Sequence, residues 1–134
     1  MFFKRKPKTQ KEMIVSVVGM VYHEKDVNKL RIKRKDYKTS AAIMEKIWKY
    51  DWPTGPVVLS ADSMGAKVTI AKRHVGYVSQ ESSARVLGLL KKKAIVSADA
   101  TITGGTYKVV SRNGDAVEMD ESVRIKLRIV YVEN

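Results

Sequence analysis

The chain of 134 residues has two histidines and no cysteine. His23 stands in HEKD beside Glu24 and Asp26, a grouping of types that acid–base or metal chemistry could use. Neighbouring residues of one segment point in different directions, however, and no HExxH spacing or thiolate partner accompanies them. A solvated turn is the expectation there. His74 follows Lys72 and Arg73 in KRHVGYV. No P-loop and no GxSxG elbow occurs, and Gly104-Gly105 reads as a turn between strands rather than a phosphate cradle. The expectation is a protein without catalytic residues, cofactor or metal.

The residue types suited to polyanions are more plentiful. There are 26 Lys and Arg against 14 Asp and Glu, a formal net charge of +12, and residues 1–38 hold 12 of the bases and 4 of the acids. Such a surplus attracts polyanions at long range and binds them by releasing counterions. Cations group at Lys72 and Arg73, at Lys91, Lys92 and Lys93, and at Arg124, Lys126 and Arg128. Tyr22, Tyr77, Trp48, Trp52 and Tyr107 are candidate stacking platforms. A basic groove with aromatic faces holds single strands because every base offers a π-face.

The elements that must carry these residues read as follows. Residues 1–11, MFFKRKPKTQK, form a mobile basic arm. Residues 12–22 form a strand whose unbroken apolar run predicts burial on both faces. Lys4 to Lys11 followed by MIVSVVGMVY has the rough order of a secretory signal, but Glu12 and HEKD flank the run, so the strand reading is preferred. Nothing approaches the ~18 apolar residues of a membrane span. With no cysteine, a reducing, cytoplasmic location and no membrane partner are expected. HEKDVNKL is a short helix or turn, and TSAAIMEKIWKY (39–50) has the spacing of a helix. PVVLSA, AKVTIA and HVGYV are strands, with the turn DSMG between the first two. A helix follows over 80–93, capped by Ser79, with Ala84, Val86, Leu87 and Leu90 as its buried stripe. Strands complete the chain, with a hairpin turn at Asn113-Gly114. VRIKLRIVYV alternates Val123, Ile125, Leu127, Ile129 and Tyr131 against Arg124, Lys126 and Arg128, which predicts one buried and one cationic face. The fold class is mainly β with two helices (α+β), a single domain from residue 12, in the form of a small, partly open barrel.

Two stretches carry a resemblance. VVGMVYH (17–23) resembles the first strand of HIRAN domains, where Val-Gly leads to an aromatic. VGYVSQESSARVLGLL (75–90) resembles that family's second signature, in which Val-Gly, an aromatic and a polar pair lead into an Ala/Leu-rich helix. PVVLSADSMGAKVTI (56–70) sits between them where the family has strand, loop and strand. The resemblance covers about half the chain and implies an OB- or SH3-like barrel, found alone in bacteria and phages or fused to DNA-remodelling ATPases. Some members bind single-stranded DNA at a free 3′ end, so the resemblance favours DNA and a role in DNA repair; RNA stays open, because no residue pattern in the chain announces recognition of a 2′-hydroxyl. The resemblance assigns Tyr22 and Tyr77 to the site and sets Gln80 where some members have a phosphate-contacting Lys. The loop departs from the family's Asn-Pro-Tyr-Asp-x-Asn-Ala pattern, reading Asp62-Ser63-Met64-Gly65-Ala66, and residues 31–55 resemble an insertion carrying a helix.

The expected function is binding of single-stranded DNA or DNA ends. Lys72, Arg73, Lys91, Lys92 and Lys93 would attract phosphate, Tyr22 and Tyr77 would stack, His23 would add a hydrogen bond, and Gln80 would border the site. The alternative is a protein-interaction module that docks through Ile43, Ile47, Trp48 and Trp52 in a DNA-processing or phage assembly.

Overall fold

The alternating tail makes the longest strand. In the computed structural model, which describes residues 9–52 and 57–133, β9 runs Ala116–Glu133. Ile125, Leu127, Ile129 and Tyr131 are buried while Arg124, Lys126 and Arg128 are exposed, as the alternation predicts. The first strand, β1 (Thr9–Val18), differs from expectation. Only Val15 and Val17 are buried, and Ile14 and Val18 are 63% and 46% exposed, so the run is buried on one face and not on both. Thr9, Gln10 and Lys11 also belong to β1, pairing with Glu133, Val132 and Tyr131, which shortens the proposed arm. Residues 1–8 of that arm lie outside the described residues.

A 3-10 turn (Met20–His23) leads into α1 (Glu24–Leu30). Short strands β2 (Ile32–Lys33), β3 (Lys46–Trp48) and β4 (Tyr50–Asp51) precede β5 (Val57–Asp62), β6 (Gly65–Ile70) and β7 (Arg73–Val78). Helix α2 (Gln80–Lys91) and β8 (Ile95–Val110) come before β9. Seven strands form one antiparallel sheet in the order β3-β8-β9-β1-β7-β6-β5, and β2 pairs with β4 separately. β1 joins the two halves: Thr9–Ser16 pair with β9, then Val17 and Val18 with β7. The sheet curls until β5 approaches β8, but among the described residues no ladder joins them. Its concave face holds one core, in which Val68, Ile70, Val75, Ile125, Leu127 and Ile129 are essentially inaccessible.

Helix α2 closes this core with Val86, flanked by Leu87 and Leu90. Ala84 is exposed rather than part of the stripe. Ser79 makes no side-chain cap; its backbone N–H donates to Ser16 (2.8 Å) and its carbonyl accepts from Ser82. The helix ends where Lys93 takes a left-handed φ of 53°, with Lys93 N–H on the Leu90 carbonyl and Ala94 N–H on Leu89. That is the paired bonding of a Schellman motif, with Lys where Gly is usual.

The predicted helix over 39–50 does not form. Ile43 bridges Val110, Met44 turns left-handed at φ 62°, and Lys46–Trp48 pair with β8 as β3. The open edge of β8 supplies backbone partners that outweigh a weak helical preference. A second core of Tyr37, Ile47 and Val110 results. Tyr37 donates to Glu118 (2.6 Å), and burial together with that bond pushes its phenol to a pKa of about 12. Gly104-Gly105 is likewise no turn between strands. It is a bulge inside the continuous β8, where a Cβ on Gly104 would meet the Ser122 carbonyl at 2.1 Å. The β8–β9 hairpin does close over Asn113-Gly114, though only Gly114 of that pair has positive φ.

Candidate nucleic-acid interface

His74 and Tyr77 are three residues apart, which in a regular strand would send them to opposite faces. Between Val68 and Thr69 the β6–β7 register slips: Val68 faces Gly76, and Thr69 faces His74. The extra residue in β7 lets Val75 and Val78 point inward while His74 and Tyr77 both point out. Gly76 makes this arrangement feasible. Its φ is 156°, and a Cβ there would lie 2.4 Å from the Val18 carbonyl and 2.9 Å from Val17. The Val-Gly pair of the sequence is thus a point of backbone contact between β7 and β1.

The outward residues form an aromatic cluster. The rings of His74 and Tyr77 meet edge-on at 5.0 Å, and His23 lies 4.0 Å from His74 and 6.4 Å from Tyr77. His74 Nε2–H donates to the Gly76 carbonyl (3.1 Å). Burial, then the neighbouring His23 and Lys67, holds the His74 pKa below its ordinary 6.5. Lys67 on β6 lies directly across from Tyr77, and Val18 on β1 lies across from it on the other side.

The β5–β6 turn completes one wall. Asp62 Oδ1 accepts from the Met64 and Gly65 N–H groups (2.7 and 3.2 Å), and Oδ2 accepts from the Tyr77 hydroxyl (2.8 Å). The Tyr77 bond holds the Asp62 carboxyl below its usual range and raises the Tyr77 phenol. Between this turn and the start of α2 lies an open cleft of about 560 Å³, bordered by Val18, Asp62, Met64, Tyr77, Gln80 and Leu87.

The sequence-predicted site is only partly gathered here. Tyr77 and Gln80 border the cleft, and His23 joins through its ring contacts. Tyr22, on the 3-10 turn beside His23, is 86% exposed. Lys72 and Arg73 sit at the far end of the β6–β7 hairpin, about 13 Å along the strand from Tyr77, and Arg73 bonds Asp26 (3.2 Å). Lys91, Lys92 and Lys93 follow the opposite end of α2 from Gln80; twelve helical residues span about 18 Å. These five cations flank the cleft and do not line it. Lys67 and Asp62 were missed as site residues. The alternation in AKVTI puts Lys67 on the polar face, which was the available signal. Asp62 becomes notable only when the fold sets it beside Tyr77.

Among the described residues no group of three or more His, Asp or Glu side chains could hold a metal, and no helix is long and apolar enough to cross a membrane. No protein-family model, curated protein or solved structure matches the chain.

Proposed function

We propose that the protein binds single-stranded nucleic acid, DNA by preference, without catalysing a reaction, and that the curled sheet acts as a partly open HIRAN-like barrel. The observation that carries this reading is the outward cluster of His23, His74 and Tyr77 beside an open cleft, on a chain of net charge +12. Tyr77 and the exposed Tyr22 offer stacking faces, and Lys67 offers phosphate attraction next to the stack. Lys72 and Lys91 to Lys93 extend the positive field along the strand's path. The Asp62 carboxylate repels phosphate and accepts hydrogen bonds, so it suits the terminal hydroxyl of a strand end. Stacking of a base on an aromatic is worth about 1–3 kcal/mol. Tyr77→Ala is therefore expected to weaken binding of a short single-stranded DNA by roughly 5- to 150-fold in fluorescence anisotropy. Unchanged affinity in both Tyr77→Ala and Tyr22→Ala would remove the site from this face.

The alternative, a protein-interaction module, draws on the exposure of Ile43 and Met44, at 56% and 64%. Light scattering and pull-down with Ile43→Ser test it; a strict monomer with unaltered partners would contradict it.

A further inference from the structure

The segment that departs from the HIRAN pattern builds a second cavity. Trp48, Tyr50 and Trp52 recur with the period of a strand, and all three line one opening of about 280 Å³ together with Arg34 and Thr103. Each ring is held from elsewhere. Trp48 pairs with Tyr107 across β3–β8, its ring 5.1 Å from the tyrosine. Tyr50 pairs with Lys33 across β2–β4 and carries the Arg31 guanidinium over its face at 4.0 Å. Trp52 Nε1–H donates to the Gly104 carbonyl (3.0 Å), the atom that the bulge in β8 turns toward it. The rings therefore keep their positions without a ligand.

Arg34 and Asp51 are the charged residues that line the opening, and the segments flanking it are cationic. Residues 31–36 and 49–51 contribute five bases and two acids. Arg34 is taken by a bidentate bond to Asp36 and lies 3.8 Å from Asp51. Outside the lining, Arg31 lies over the Tyr50 ring and Lys33 pairs with Tyr50, while Lys49, 5.8 Å from that ring, is 3.9 Å from Glu118. Aromatic walls, the Arg31 guanidinium over Tyr50 and a volume just under the ~300 Å³ lower bound of small-molecule sites describe a seat for one planar, anion-bearing group.

We propose that this cavity is a second stacking subsite, which takes one nucleobase against Trp48 while Arg31 meets its phosphate. The inference rests on the single-strand reading above, and its test separates the two. Trp48 and Trp52 are the chain's two tryptophans, so intrinsic tryptophan emission reports on this cavity and not on Tyr77.

The experiment titrates the full chain with adenosine 5′-monophosphate and with a labelled oligo(dA), following tryptophan emission and anisotropy in parallel. Both probes are expected to quench emission saturably. Trp48→Ala is expected to abolish the change at the remaining Trp52 and to lower oligonucleotide affinity about 5- to 150-fold, with Trp48→Phe restoring part of it. Tyr77→Ala is expected to weaken the oligonucleotide and leave mononucleotide quenching intact. Oligonucleotide binding with unchanged emission overturns the second subsite and leaves the first reading standing. Mononucleotide quenching without any oligonucleotide binding overturns the first reading and keeps the cavity as a nucleotide seat. Circular dichroism of Trp48→Ala with a native spectrum excludes unfolding as the cause of a loss.

Discussion

Gly76 and Gly19 are both glycines of Val-Gly pairs, yet they should respond differently to substitution. Gly19 has φ 78° with nothing within 4 Å of an added Cβ, so Gly19→Ala should cost only the left-handed penalty of about 1 kcal/mol. Gly76→Ala also drives a methyl into the Val18 carbonyl. It should cost at least about 2 kcal/mol in urea denaturation and scatter the His74–Tyr77 pair. Equal losses at the two positions would contradict the role given to the bulge. His74 makes a pH prediction at the same scale. Its folded pKa lies below the unfolded 6.5, so the unfolded chain binds the proton more readily. The stability it contributes is complete above pH 6.5 and falls as pH drops through that value. His74→Gln should flatten this slope between pH 7.5 and 5.5. A bound polyanion favours the protonated ring, so affinity should rise over the window in which stability falls.

Helix α2 and residues 39–50 show how whole elements are fixed. Lys93 terminates α2 in a left-handed conformation that favours Gly. Lys93→Gly should raise stability by about 1 kcal/mol while removing one peripheral charge, which thermal denaturation and oligonucleotide affinity measured together would separate. A destabilised variant would contradict the Schellman assignment. The elements also mark how far the sequence could be read. The alternation of β9 was legible because one face is buried and the other solvated, and the β5–β6 and β6–β7 hairpins because apolar runs flank the turns at DSMG and Lys72-Arg73. β1 was misread because Ile14 and Val18 remain apolar on the outer face, and composition does not say which face is covered. Residues 39–50 were misread because Ile43 and Ile47 match a helical period, while the competing period of two in Trp48, Tyr50 and Trp52 begins only at its end. The edge of β8 that captures β3 is supplied by residues sixty positions later, beyond any local pattern. The Tyr77 site was legible only in part. Tyr77 stood out by type, but its alignment with His74 depends on a register slip against β6, and Asp62 and Lys67 become neighbours only through pairing.

At the scale of the molecule, the charge that pointed to polyanions is spread rather than focused. The cleft holds Lys67 close at hand, and Lys72 and Lys91 to Lys93 surround it at a distance. Arg128 is engaged with Glu12 and Asp99, and Lys11 with Glu133. A generic basic surface and a directed stacking cleft differ in salt dependence and in what they require of a strand's end. Log affinity for a single strand falls with log salt by about 0.7 per phosphate neutralised, a term that no aromatic contributes. The most direct test is fluorescence anisotropy of a short single-stranded DNA with a free or a blocked 3′ end, over several salt concentrations, with the intact protein. The cleft account predicts binding that persists at moderate salt and weakens when the 3′ hydroxyl facing Asp62 is blocked. No binding at low salt would contradict the nucleic-acid reading, and binding indifferent to the end and abolished by moderate salt would reduce it to charge alone.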